Sequence, residues 1–134
     1  MKRTRQLKNQ PSYGSKLLKM DDNTYALRRK VIDIIYLAKG KVNLPRVEVR
    51  IVEGATWDKD GYIMGYAYMG KNIIHIEKKY VGCTNTILTT LVLHEILHAV
   101  LSIPHNDNCP LMKPYISELA NLDEIWDTFK SYFK

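Results

Sequence analysis

Between residues 22 and 39, apolar residues recur at every third or fourth position, the spacing of an amphipathic helix. The repeating set consists of Leu27, Val31, Ile34, Ile35 and Ala38. Asp22 or Asn23 can cap the start of this helix, and Gly40 is placed to end it. The pattern predicts one helix that packs its apolar face on a core.

The pattern then changes to the alternation that is typical of strands. Residues 46–51 alternate charged and apolar side chains, which predicts a strand with Val47, Val49 and Ile51 facing inward. Residues 62–69 and 72–77 form two more apolar runs, and the short turn at Gly70-Lys71 joins them into a predicted hairpin. A loop over residues 53–61 separates the first strand from this hairpin.

Two further helices are predicted in the C-terminal half. A nearly continuous apolar run begins near Thr84 and Asn85 and must end soon after Leu101, because Pro104 cannot continue a helix. The last helix starts at Asn121, which has capping-box spacing with Glu124. Its apolar face consists of Leu122, Ile125, Trp126, Phe129 and Phe133. Helices mixed with strands in this order predict an α+β fold.

The apolar helix carries a motif that suits a metal ion. His94 and His98 are four residues apart, so both rings lie on one helical face, and Glu95 follows the first of them. In the H-E-x-x-H arrangement the two imidazoles bind zinc and the glutamate serves as general base. Two imidazoles and a carboxylate are costly to bury without a partner, which a metal supplies. The alternative is two core histidines with a solvent-facing Glu95.

A tetrahedral catalytic zinc needs a third protein ligand and one open position. His105 is the obvious candidate, since it follows the end of the helix by a few residues, and Asp107 is the next one. Zinc is the expected cofactor.

Together these residues resemble the signature of the metzincin clan of zinc metallopeptidases, H-E-x-x-H-x-x-G-x-x-H followed by a methionine-containing turn. The matching ligands and base are His94, Glu95, His98 and His105, and the segment with Met112, Pro114 and Tyr115 resembles the Met-turn and pocket of matrixin-like members. Two departures stand out. His105 comes one residue later than in the clan, and Leu101 replaces the glycine that lets the backbone turn sharply. Ser102 could leave the helix less tightly and relieve this turn.

The resemblance implies a small zincin-like domain, of matrixin or archaemetzincin type. Its mixed twisted sheet would have an antiparallel edge strand packed on the active-site helix, with helices at both ends of the chain. It also implies a zinc-dependent endopeptidase in which Glu95 is the base and Met112 underlies the metal. Gly65, Tyr66 and Ala67 would then belong to the edge strand, where a peptide or protein substrate adds as another strand.

Three alternatives stay open. In a thermolysin-like arrangement the third ligand would be Glu118, on a later helix. A bacterial rRNA-processing family also carries three histidines on a similar helix and turn, which would make the protein a metal-dependent ribonuclease, although that family has glycine at the position of Glu95. Zinc could also stabilise a non-catalytic binding domain.

Charge is distributed unevenly along the 134-residue chain, which carries a formal net charge of +6. The first 20 residues hold six Lys and Arg and no acid, while the remainder holds fourteen of each sign. We therefore expect a basic, flexible or loosely docked arm at 1–20 and a catalytic domain at 21–134. Nucleic acid would bind only through the arm.

Localisation and assembly are predicted from features that the sequence lacks. No signal peptide or membrane segment is recognisable, which favours a cytoplasmic protein that does not contact membranes. We also expect a monomer. Cys83 and Cys109 do not form a C-x-x-C pair, and a disulfide between them is not expected.

Overall fold

The computed structural model describes residues 3–7, 16–17, 22–53, 56–57, 61–78, 83–114 and 121–133. In these residues the helices are α1 (Asp22–Lys39), α2 (Asn85–Leu101) and α3 (Leu122–Ser131). The strands are β1 (Arg3–Leu7), β2 (Lys16–Leu17), β3 (Glu48–Glu53), β4 (Thr56–Trp57), β5 (Gly61–Tyr68) and β6 (Ile73–Glu77). This composition confirms the α+β class, and the predicted bounds of α1 coincide with the observed ones.

Three strands form the centre of a mixed sheet in the order β5, β6, β3. β5 and β6 are antiparallel, as expected for the predicted hairpin, and β6 runs parallel to β3. Ala67 lies opposite Ile74, which in turn lies opposite Val49, so these three side chains share one face of the sheet. β2 extends the sheet beyond β3, and β4 pairs with the start of β5.

The hydrophobic core lies between that face and the helices. α1 packs on β3, and α2 packs on β5 and β6. All five apolar residues predicted for the inner face of α1 are buried, and α3 closes the core with Ile125 and Phe129. Helical periodicity in α1 and α3 therefore identified the buried faces correctly, because each of these helices has one face on the core and one exposed.

The structure corrects one expectation about the sheet: β5 is not an edge strand. β1 pairs in parallel with it, with Arg5 opposite Tyr66 and Leu7 opposite Tyr68. An uncovered strand presents a row of unpaired N–H and C=O groups, and β1 supplies partners for that row. Residues 3–7 and 16–17 of the expected N-terminal arm are thus strands of the sheet.

The other face of the sheet carries a buried polar group around His75. Its Nδ1 lies 2.8 Å from the hydroxyl of Tyr66, and the ring of Tyr68 contacts it edge-on. Burial, helped by the charge of Arg50, lowers the pKa of His75 to about 4. His75 is therefore neutral near pH 7.

Two further observations concern the described residues as a whole. None of the described helices has the length and apolar character needed to cross a membrane.

Cys83 and Cys109 are both free thiols. Tyr115 and Glu118, for which the sequence predicted a pocket and an alternative ligand role, lie outside the described residues.

Candidate metal centre

Helix α2 passes through the middle of the domain. Thr84 caps it, with its hydroxyl accepting a hydrogen bond from the backbone N–H of Ile87 at 3.2 Å. Every residue from Leu88 to Ala99 is buried, including His94, Glu95 and His98. Apolar side chains occur on nearly every side of this helix, because the rest of the domain surrounds nearly every side of it. The three polar side chains of the motif are therefore held in an environment with little water.

The end of α2 explains both departures from the clan signature. Ser102 adopts a left-handed conformation, with φ 56° and ψ 33°, and its N–H donates to the carbonyls of His98 and Leu97. A left-handed conformation costs a non-glycine residue roughly 1–2 kcal/mol. In the clan, glycine occupies the position of Leu101. Compared with that signature, the left-handed residue and the third histidine each come one residue later, so Ser102 precedes His105 by three residues.

The hairpin between β5 and β6 holds this helix end in place. The N–H of Gly70 donates to the carbonyl of His98 at 3.3 Å, and the N–H of Asn72 donates to that of Ala99 at 3.1 Å. Gly70 has a φ of 71°, which glycine adopts without strain. The turn that starts the His105 loop is thereby fixed to the sheet.

Beyond this turn, His105 completes a cluster of three imidazoles. The Nε2 atom of His94 lies 3.0 Å from that of His98 and 3.2 Å from that of His105. The candidate ligand atoms of the three residues lie within 4.8 Å of one another. The sequence-based prediction that these three histidines meet is confirmed.

Backbone carbonyls determine which ring nitrogen carries the proton. Nδ1 of His94 lies 2.7 Å from the carbonyl oxygen of Leu111, and Nδ1 of His98 lies 2.5 Å from that of Ile103. A carbonyl only accepts, so each Nδ1 carries the hydrogen and each neutral ring presents an unprotonated Nε2. Two lone pairs thus face each other at 3.0 Å, and only a cation or a proton between them makes this contact favourable.

Protonation of a ring is less favourable than the binding of a metal cation between the two nitrogens. Burial lowers the pKa of His94 well below its usual value, and the nearby His98 and His105 lower it further. Burial also lowers the pKa of His98 to about 4 and that of His105 below its usual value. At neutral pH the cluster is a set of three neutral imidazoles, which is a donor set for a metal ion.

Two of the three donor separations suit a zinc ion. Two zinc–nitrogen bonds of standard length at a tetrahedral angle separate their nitrogens by about 3.3–3.4 Å. The two measured contacts of 3.0 and 3.2 Å are close to this separation. Three imidazoles alone also suit copper, nickel and iron, so the geometry indicates a metal site without identifying the metal.

The loop after His105 is shaped by its own backbone hydrogen bonds. The N–H of Asn106 donates to the carbonyl of Met112 at 2.9 Å, and the N–H of Met112 donates to that of Cys109 at 3.0 Å. This folding buries Leu111 and Met112 completely. The backbone of the segment that resembles a Met-turn thereby supplies the acceptor that orients His94.

Glu95 lies beneath β5, fully buried. Neither carboxylate oxygen has a hydrogen-bond partner in the described part of the chain. Burial raises the pKa of Glu95 well above its usual value. An ideal Cβ placed on Gly65 would lie 3.2 Å from Oε2 of Glu95, so the absence of a side chain there leaves room for the carboxylate.

The remaining candidates fall outside the cluster. Asp107 is exposed and is not part of the group of possible ligands found in the described residues; its charge only raises the pKa of His105 against the larger effect of burial. Cys109 lies 3.6 Å from the hydroxyl of Tyr132. The roles of the Leu111 and Ile103 carbonyls could not be predicted from the sequence. Every residue has a carbonyl, and no side-chain pattern marks the ones that accept a hydrogen bond from a metal-binding histidine.

Comparison of the chain with protein-family models, with curated proteins and with solved structures found no match. The assignment of the metal centre therefore rests on its own geometry. The resemblance to metzincins rests on the motif residues.

The third ligand can be tested by metal titration. We expect wild-type protein to bind one Zn²⁺, and His105→Ala to weaken binding by at least about 100-fold, more than the loss of an outer-shell contact typically costs. Asp107→Ala is the matched control from the same loop. Because its side chain is exposed, it should change affinity by no more than about twofold. If His105→Ala bound Zn²⁺ as wild type does and Glu118→Ala lost binding, the third ligand would be Glu118.

The close approach of β5 to Glu95 predicts a specific cost of adding a methyl group. The Cβ of Gly65→Ala would lie 2.8 Å from the backbone carbonyl oxygen of His75. This contact is too short, and the backbone of β6 cannot easily shift to relieve it. We expect a loss of about 1–3 kcal/mol in the free energy of unfolding by urea. Gly40→Ala, whose Cβ meets nothing closer than 3.4 Å, should be neutral or stabilise by up to about 1 kcal/mol. Equal stability of the two variants would contradict the packing described.

Proposed function

We propose that this protein is a zinc-dependent endopeptidase. The observation that supports it most is the set of three neutral imidazoles, with Glu95 next to one of them in sequence and buried without a hydrogen-bond partner. A structural zinc site is normally closed by four protein ligands, whereas a catalytic site keeps one position open. In the described residues the group of possible ligands has three members, which matches the catalytic class.

The residues divide into three roles. His94, His98 and His105 would hold the ion, and the carbonyls of Leu111 and Ile103 would keep the first two rings in the binding tautomer. When bound, zinc supplies a Lewis acid that polarises the scissile carbonyl and lowers the pKa of a water molecule. Met112 would form an apolar base under the cluster.

Glu95 would carry the proton between the two halves of the reaction. As a carboxylate it takes a proton from the water that attacks the peptide carbonyl, and it later gives that proton to the departing amine nitrogen. Burial raises the pKa of Glu95 well above its usual value, which makes its carboxylate a stronger base. This dual role would account for a carboxyl group that is buried without a hydrogen-bond partner in the described part of the chain.

The substrate would bind as an extended strand along β5, on the edge that β1 occupies in this structure. Gly65 brings the backbone of this strand against Glu95, and Tyr66 and Ala67 continue the same strand. Pairing through main-chain hydrogen bonds would set the direction of the peptide and place one of its bonds near the cluster. Pro114 and Tyr115 would contribute to the pocket beyond the Met112 turn. The substrate class is therefore an unfolded or looped segment of a protein, because only an extended chain can pair in this way.

The test separates metal binding from proton transfer. In a peptide-library assay on zinc-loaded protein, Glu95→Gln should bind zinc as wild type does, yet lower kcat by about 10²–10⁴-fold, the usual contribution of a general acid–base group. Glu53→Gln, an exposed position on β3, is the matched control and should cleave normally. Cleavage at the wild-type rate by Glu95→Gln would exclude Glu95 from the mechanism.

The same variants, assayed on peptides and on RNA, test the two alternatives. A domain in which zinc is only structural would bind the metal and cleave nothing in any variant. A metal-dependent ribonuclease would degrade RNA, and it would do so independently of Glu95, since the family that it would resemble has glycine there.

A further inference from the structure

Strand β1 occupies the edge of β5 that the proposed function assigns to the substrate. We propose that Arg3–Leu7 is an intramolecular competitor for this edge, so that the N-terminal segment restrains the activity of the same chain. The inference rests on the proposed peptidase function. It goes beyond that function because it concerns what controls access to the site.

Along residues 65–68, β5 can pair with only one strand besides β6. A strand has two hydrogen-bonding edges, and residues 65–68 of β5 use one of them for β6. Their other edge pairs with β1, where Arg5, Gln6 and Leu7 lie opposite Tyr66, Ala67 and Tyr68. A peptide substrate and β1 therefore require the same N–H and C=O groups, and their binding is mutually exclusive.

The register places β1 level with the proposed catalytic base. Arg3 lies opposite Ile63 and Arg5 lies opposite Tyr66, with a register shift between them, so Gly65 lies at the level of the irregular backbone between these two arginines. Gly65 is the residue that packs against Glu95. The N-terminal segment consequently runs along the part of β5 that packs against Glu95.

Strand β1 has the properties of a segment that a substrate can displace from β5. In the sequence Arg-Thr-Arg-Gln-Leu only Leu7 is apolar, and the described attachment of β1 is its backbone pairing with β5. β1 is the terminal strand of the described sheet, so its release breaks no other described strand pairing. Because it is tethered, it competes at an effective concentration in the millimolar range. Such competition raises KM for a substrate and leaves kcat unchanged.

The proposal is tested in the full-length, zinc-loaded protein by weakening β1 alone. Arg5→Pro combined with Gln6→Pro removes both N–H groups from adjacent residues, so whichever of them donates to β5 is lost. Arg5→Ala combined with Gln6→Ala is the matched control, since it removes the side chains and keeps both N–H groups. Two quantities are measured: hydrogen exchange of the backbone amides of residues 65–68, and kcat and KM for the best-cleaved library peptide. Circular dichroism checks that each variant is folded.

We expect the double proline variant to exchange these amides faster and to lower KM by at least about tenfold, with kcat unchanged. The alanine variant should match wild type in both measurements. Faster exchange with an unchanged KM, while wild type cleaves and Glu95→Gln does not, would overturn the proposal and leave the peptidase function intact. Unchanged exchange would also overturn it, because β1 would then not protect the edge. Faster exchange without cleavage by any variant would reject the peptidase function and, with it, the regulatory role.

Discussion

The candidate metal centre depends on two hydrogen bonds from histidine rings to backbone carbonyls. By accepting from Nδ1 of His94 and His98, the carbonyls of Leu111 and Ile103 direct two unprotonated nitrogens toward each other in a region that disfavours their protonation. Lone pairs at this separation repel unless a cation lies between them. The electrostatic cost of the arrangement without a metal is thus also the driving force for binding one.

The rest of the fold keeps those two carbonyls where they are needed. The hairpin of β5 and β6 is bonded to the end of α2 through Gly70 and Asn72, and this fixes the left-handed turn at Ser102 from which the His105 loop departs. Burial of Leu111 and Met112 in the core fixes the far end of that loop. The same core encloses α2 and removes water from around Glu95, so stability and site chemistry depend on the same packing.

Much of this could be predicted from the sequence, and the exceptions have physical reasons. Periodicity located α1 and α3 because each has one face on the core and one exposed face, whereas a continuous apolar run located α2. The spacing of His94 and His98 located two ligands because helix geometry is regular. The shift of the turn to Ser102 required the backbone conformation, since sequence alone shows only that glycine is missing at Leu101. The pairing of Arg3–Leu7 with β5 was not predicted, because a polar segment without alternation carries no strand signal, and its partner is distant in the chain.

X-ray absorption spectroscopy at the zinc edge, on the stoichiometrically loaded protein, tests the central claim most directly. The account predicts three imidazole nitrogens at about 2.0–2.1 Å and one further light-atom ligand from solvent, with the imidazole signal reduced to two rings in His105→Ala. A sulfur neighbour at about 2.3 Å, or a sphere with only two imidazoles in the wild-type protein, would contradict it.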